Sequence, residues 1–203
     1  LFVEHRAGEW HIPVSGLKAL HPQLFLLYAL FEPYGFTEAV LNDLAGSWRG
    51  TPGKRFESPS HVLYLDRTEV VLLPQPSAYD EVATLEKAGD RVKWGEYHFE
   101  SLGTTATPIN TEAHVAQFDA DRLVFPLSIR AWKRGDVFRP LGMEGQKKLS
   151  DLFVSLKIPV YRKHTVPVVT NGNGDIVWVA PYRMDDRYKI TAKTKKVITL
   201  VCF

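Results

Sequence analysis

The chain has one cysteine in 203 residues, Cys202, which excludes an internal disulfide and any Cys-rich zinc site and points to a reducing compartment. It has no apolar run near the roughly 20 residues of a membrane helix. The longest, residues 24–31, suits only a core helix, and no membrane is expected as a partner. Nothing at its N-terminus reads as a secretory leader, because Glu4, His5, Arg6 and Glu9 interrupt any apolar segment, and a cytoplasmic location is expected. It begins at Leu1 without a methionine and is expected to be a piece of a longer protein. Excess charge of one sign is missing too, with 25 Lys/Arg against 23 Asp/Glu. At 45% hydrophobic and 24% charged it is neither a disordered nor a collagen-like chain, and its length suits one large domain or two small ones.

The motifs of catalysis are absent as well. The seven histidines form no HExxH pattern and have no cysteine partners, so no metal is expected; His5 and His11 read as unpaired surface histidines. No GxxxxGK[ST] or GxGxxG loop occurs, and the run from Gly142 to Lys148 matches no nucleotide-binding spacing. Asp185 and Asp186, beside Arg183 and Arg187, read as surface ion pairs, since neighbours on a strand face opposite sides. Cys202 reads as a buried thiol. No cofactor is expected in this chain.

What is present is a division of charge. Residues 130–203 carry 15 Lys/Arg and 6 Asp/Glu, a balance of +9, whereas residues 1–129 balance at −7. A +9 segment is the electrostatic footprint of a polyanion binder, and it also suits a merely solvated surface.

Patterning predicts an α+β fold. Residues 1–49 read as helical: Leu24, Leu27, Tyr28 and Phe31 share one helix face, and Thr37 caps a second helix that buries Val40, Leu41 and Leu44. A breaker-rich loop follows at 49–54. Hairpins are predicted over 62–73 and 92–99, making the middle region rich in β-hairpins. The irregular stretch 103–114 is the expected boundary, giving a helical and hairpin-rich region over 1–110 and a compact α+β domain over 115–203. That domain should hold a strand over 123–129 and an amphipathic helix of about three turns on Leu149, Leu152, Phe153 and Leu156, ended by Pro159. A hairpin about Asn171-Gly172-Asn173-Gly174 and a final strand over 197–201 should complete it.

One segment combines the elements of phosphate recognition. Arg130, Lys133, Arg134 and Arg139 surround Trp132, and Lys147, Lys148, Lys157, Arg162 and Lys163 follow. Arginine forks suit phosphate oxygens, lysine adds point charge, and an indole offers a stacking face.

Within this segment lies Arg130-Ala131-Trp132-Lys133-Arg134-Gly135-Asp136-Val137-Phe138-Arg139-Pro140-Leu141-Gly142-Met143. With Phe118-Asp119-Ala120-Asp121 before it, and Lys147-Lys148-Leu149-Ser150-Asp151, Lys157-Ile158-Pro159, Val166-Pro167 and Ile176-Val177-Trp178-Val179 after it, residues 118–200 closely resemble the C-terminal domain of tRNA(Ile)-lysidine synthases. Tyr34-Gly35-Phe36 and Leu65-Asp66-Arg67 look more loosely like that family's middle region. The resemblance implies an enzyme that uses ATP and magnesium to adenylate the wobble cytidine of an isoleucine tRNA, with free lysine displacing AMP. In the family that chemistry needs a Ser-Gly-Gly-x-Asp-Ser loop, which this sequence lacks. The chain is therefore expected to be the tRNA-holding portion, without catalytic residues and without the N-terminal catalytic domain. The resemblance carries Arg130, Lys133, Arg134, Arg139, Lys147 and Lys148 over as the tRNA-facing surface, and charge adds Arg162. Trp132 and Asp136 suit a structural role as well as a functional one. A competing reading is a stand-alone protein-interaction module with an aromatic-rich sheet surface of Trp94, Tyr97, Phe99 and Trp178. Oligomeric state, including a homo-oligomer, is left open.

Overall fold

A computed structural model describes residues 3–6, 9–50, 53–75, 79–105 and 108–203. They form two units, Leu1–Gln75 and Pro76–Phe203. Thr51 and Pro52 of the expected 49–54 loop lie outside the described residues.

The first unit opens on strands, which corrects the helical reading of its first residues. β1 (Glu4–Arg6) pairs with β2 (Glu9–Pro13), and β2 pairs with a strand far along the chain, Trp10 opposite Leu72. That non-local partner, rather than local periodicity, makes the segment extended. Three helices follow: α1 (Val14–Lys18), α2 (Gln23–Phe31) and α3 (Glu38–Gly46). α2 is apolar nearly all round, so periodicity fixes its presence better than its facing. Leu27 and Phe31 are buried, whereas Leu24 stays exposed. α3 begins as predicted, the Val40 N–H donating to Thr37 Oγ1, with Leu41 and Leu44 buried. Strands β3 (Lys54–Glu57), β4 (His61–Leu65) and β5 (Glu69–Pro74) complete an antiparallel sheet in the order β1-β2-β5-β4-β3. Leu17, Leu27, Phe31, Leu41 and Leu44 pack with Ile12, Leu63, Val70 and Leu72 to form its core. Each fully buried leucine contributes about 1.5–3 kcal/mol. His11 is not a surface histidine: it is buried, with Glu9 and Glu69 carboxylates each 3.2 Å from a ring nitrogen.

The second unit contains β6 (Ala83–Leu85), β7 (Arg91–Trp94), β8 (Tyr97–Thr105), β9 (Val115–Asp119) and β10 (Leu127–Arg130). β11 (Val137–Phe138), β12 (Lys147–Lys148) and α4 (Leu149–Ser155) follow, then β13 (Val168–Thr170), β14 (Ile176–Val179), β15 (Arg183–Met184) and β16 (Lys196–Cys202). One sheet runs β15-β14-β13-β10-β6, a second β7-β8-β16-β9, and β11-β12 is a separate ribbon. The architecture is α+β, as predicted. β13 and β14 are buried along their whole length because residues of the second sheet, such as Phe99, Phe118 and Leu200, pack on Val169 and Trp178. Phe138, Leu149, Leu152 and Phe153 pack on Val168, Ile176 and Val179. Trp94, Phe99 and Trp178 are thus core residues, which removes the aromatic sheet surface that an interaction module would need.

Two local expectations change and a third holds. The 123–129 strand shrinks to β10. α4 is shorter than three turns and ends before Pro159, where the Lys157 and Ile158 N–H groups donate to the Val154 and Phe153 carbonyls and Lys157 takes φ 55°. That is a Schellman ending with lysine in the left-handed position usually held by glycine. The hairpin at 171–174 forms as predicted, and Gly172 is required there by space: a Cβ would sit 2.6 Å from the Val124 carbonyl oxygen.

The unit boundary also differs from the expected break between 110 and 115. β8 pairs with β16 from Phe99–Cys202 through Thr105–Lys196, and β6 pairs with β10, so strands before residue 106 complete both sheets of the C-terminal unit. A 115–203 fragment leaves one side of β16 and of β10 without its partner strand. A 76–203 fragment is therefore expected to unfold cooperatively in urea, and a 115–203 fragment to give no cooperative transition. Equal transitions in both would show that β6, β7 and β8 are dispensable.

Candidate nucleic-acid interface

The turn that opens the 130–148 segment is held by the Asp136 carboxylate. Asp136 accepts two hydrogen bonds from the Arg130 guanidinium, Nη1 at 2.8 Å and Nη2 at 3.0 Å, and a third from the Lys133 N–H at 2.7 Å. Both side chains of the pair are largely buried, 16% and 13% exposed. The tight turn 133–136 closes with the Asp136 N–H on the Lys133 carbonyl, and Gly135 sits at φ 98°. Positive φ at the third residue of such a turn favours glycine. Trp132 is half-buried and meets Phe153 edge to face, ring centroids 5.5 Å apart. Asp136 and Trp132 therefore serve the frame, and Arg130 has its charge committed to Asp136.

The turn leads into the β11–β12 ribbon, where Val137 lies opposite Lys148 and Phe138 opposite Lys147. Directly opposed residues share a face. On the inner face Phe138 is buried and Lys147 is half-buried, its Nζ 3.1 Å from Ser155 Oγ. On the outer face Val137 and Lys148 are exposed, and Arg139, two residues beyond Val137, is exposed as well. Among the described residues, the side chains of Lys133, Arg134, Arg139 and Lys148 have no ion pair or hydrogen bond. Arg162 is half-buried on the 3₁₀ segment Val160–Thr165 and has partners of its own.

A second carboxylate pins this segment to the β14–β15 hairpin. Asp185 is 0% exposed. Its Oδ2 accepts from the Arg139 N–H (2.8 Å) and Arg187 Nη2 (2.9 Å), and its Oδ1 from the Arg187 N–H and Nε (both 2.9 Å). The Asp186 N–H donates to the Arg139 carbonyl, and Asp186 Oδ1 accepts from the Gly142 N–H at 3.0 Å. The pair of aspartates is thus one buried and one outward group, a correction to surface ion pairs. The Gly142 amide is occupied, which removes it from any phosphate cradle. Arg187, also bound to Asp175 at 2.8 Å, is held in its charged form by these carboxylates.

The same network sets a response to acid. Partial burial pushes Asp175 up, but hydrogen bonds from Tyr188, Arg187 and Asn173 outweigh it and hold the carboxyl below its usual range. The Gly142 N–H and then Lys189 hold Asp186 low. Groups depressed in the folded state stabilise it above their unfolded pKa of about 4, and this contribution is lost as pH falls through the folded values. The urea midpoint of the second unit is expected to fall as pH drops below about 4 and to be insensitive to these two groups from pH 5 to 8. Asp175→Asn should flatten the acid limb; an unchanged limb would assign it to other carboxylates.

A further basic turn was not singled out by the motif, although its Lys-Thr-Lys-Lys run is visible in sequence. Lys193, Lys195 and Lys196 are exposed and, among the described residues, without ion pairs. The turn is braced by Thr194, whose N–H meets the Thr191 carbonyl (3.0 Å) and whose Oγ1 donates to Asp119 Oδ2 (2.7 Å). Cys202 is buried, which pushes its thiol up to about 12 and leaves it unreactive. Among the described residues no helix is long and apolar enough to cross a membrane.

Comparison with known proteins agrees with this division. Residues 5–75 match the family model described as the TilS substrate binding domain, and residues 127–200 the TilS substrate C-terminal domain. The tRNA(Ile)-lysidine synthase of Parabacteroides distasonis is 36% identical over 85% of this chain and 40% of its own length. That of Clostridium tetani is 36% identical over 98% of this chain and 42% of its own. The chain thus spans about two-fifths of the curated relatives it matches. A crystal structure of a TILS C-terminal domain, 22% identical, covers 60% of this chain and 96% of its own with a TM-score of 0.54, a likeness of fold. With two domain models of one family matching most of its length, the chain belongs to the tRNA(Ile)-lysidine synthase family, of which it carries the substrate-binding and C-terminal domains.

Proposed function

We propose that this chain is the tRNA-holding portion of a cytoplasmic ligase that converts the wobble cytidine of an isoleucine tRNA to lysidine, with ATP binding and catalysis carried by a domain outside these 203 residues. The observation that carries the reading is the set of four cations, Lys133, Arg134, Arg139 and Lys148, exposed and without acidic partners among the described residues, on a turn and ribbon fixed by buried carboxylates. Unpaired cations on a braced frame are preorganised for phosphate oxygens, so little ordering cost falls on binding. Arg130 orders the frame, while Lys147, bonded to Ser155, and Arg162, which has partners of its own, supply longer-range positive potential. Family membership points the same way, since relatives that share both domains are named tRNA(Ile)-lysidine synthases.

The test is tRNA affinity measured across a salt series for the wild-type chain and for Lys133→Ala/Arg134→Ala/Arg139→Ala/Lys148→Ala. Strong salt dependence in the wild type that shrinks in the variant supports the reading. Affinity and slope shared by the two would overturn the assignment of this face.

A further inference from the structure

The second unit has a groove that the basic ribbon does not account for. Its volume is about 380 Å³, and it opens between the loop that precedes β9 and the β14–β15 hairpin. Ile109 lines it from the loop, Tyr182, Arg183 and Met184 line it from the hairpin, and Leu141 lines it as well. Two of its large lining side chains are left open to solvent, Ile109 at 72% and Tyr182 at 43% exposure. The lining is mainly apolar, yet the surroundings are basic. Leu141 N–H donates to the Met184 carbonyl at 2.9 Å, which places Arg139 next along the same edge. Arg183 stands at the rim without an ion pair among the described residues. At the other end Lys189, bonded to Asp186 at 2.9 and 3.0 Å, leads directly into the turn bearing Lys193, Lys195 and Lys196. Glu112 also lines the groove, with its carboxylate paired to His114 at 3.2 Å.

An apolar slot with an aromatic lip between two sets of cations matches one kind of polyanion. In a duplex the flat faces of the bases are covered by their neighbours, and a double helix cannot enter a concavity of this size. An unpaired nucleotide has a free face for an aromatic ring and keeps its phosphate at the rim. We propose that this groove is a subsite for an unpaired ribonucleotide, whose base lies between Tyr182 and Ile109 and whose phosphate meets Arg183. The proposal rests on the RNA binding inferred above and adds to it a preference for single-stranded over fully paired RNA at this position.

The full chain is titrated with a single-stranded ribotetranucleotide and with a blunt, fully paired RNA duplex, as wild type, Tyr182→Ala, Tyr182→Phe and Lys133→Ala/Arg134→Ala. Tyr182→Ala is expected to weaken the tetranucleotide about tenfold, the usual scale of a single base stacked on an aromatic ring, and to leave the duplex within about twofold. Tyr182→Phe, which retains the ring, should restore tetranucleotide affinity. The ribbon variant should weaken the duplex more than the tetranucleotide. A tetranucleotide carrying 4-thiouridine, photocrosslinked to the wild-type chain, should give adducts on groove residues such as Tyr182 or Ile109; this readout needs no variant to fold. Adducts confined to other surfaces, or equal affinities in wild type and Tyr182→Ala, would overturn the subsite while duplex binding by the ribbon still stood. The second outcome is also what a groove built for an apolar peptide would give. Absence of binding to either RNA would overturn the RNA reading itself, and the subsite with it.

Discussion

Asp185→Asn is expected to destabilise the second unit by about 3–5 kcal/mol, the usual cost of removing one partner from a buried ion pair. Each carboxylate oxygen of Asp185 accepts two hydrogen bonds, Oδ1 from the Arg187 N–H and Nε, Oδ2 from the Arg139 N–H and Arg187 Nη2. Asparagine has nearly the same shape but only one acceptor oxygen. Whichever way its amide is turned, an NH₂ group faces two donors, and the Arg187 guanidinium is deprived of its buried counter-charge. Asp175 also binds Arg187, and its side chain is 37% exposed, so water screens that pair and leaves it a weak substitute. The measurement is a urea unfolding curve of the whole chain, joined to hydrogen exchange at β13 and β14 so that the destabilisation is located in this unit. A change below about 1 kcal/mol would mean that the site relaxes and that the carboxylate does not organise the segment.

The second large effect concerns binding. Removing Lys133, Arg134, Arg139 and Lys148 together should lower the log–log salt slope of tRNA binding by about 3–4, close to 0.9 for each phosphate that is no longer neutralised. At 0.1 M salt the affinity should fall by about a hundredfold or more. Folding should change little, since exposed unpaired charges usually affect stability by less than about 0.5 kcal/mol each. Arg130→Ala makes the contrast. It strips Asp136 of its counter-charge in a mostly buried site, so it should lower the unfolding midpoint, and binding should weaken because the loop no longer has its brace. If Arg130→Ala instead reduced the salt slope by about 1 with stability intact, its guanidinium would be a phosphate ligand and the division of roles drawn here would be reversed.

Much of this molecule is written locally in its sequence. The capped start of α3, the Asn171–Gly174 hairpin, the β7–β8 turn and the buried Leu149, Leu152 and Phe153 of α4 each depend on residues within a few positions of one another, and local patterning reads them. Leu156, expected on the same face, is instead exposed where the helix ends early. The basic segment was legible as a cluster for the same reason, and the family-specific run within it pointed to the correct family. Tertiary structure decided which cations are free. Arg130 and Arg134 look alike along the sequence, but only Arg130 has Asp136 within reach of its guanidinium. Asp185 reads as a surface acid until the fold brings it to the Arg139 backbone, 46 residues away in sequence. The unit boundary at 75/76 was hidden because β6 and β8 find their partners in strands that come later, and no local signal encodes a partner at that separation. Local spacing fixes the elements and the inventory of charge; which charges are neutralised inside the fold and which face solvent is set by contacts distant in sequence.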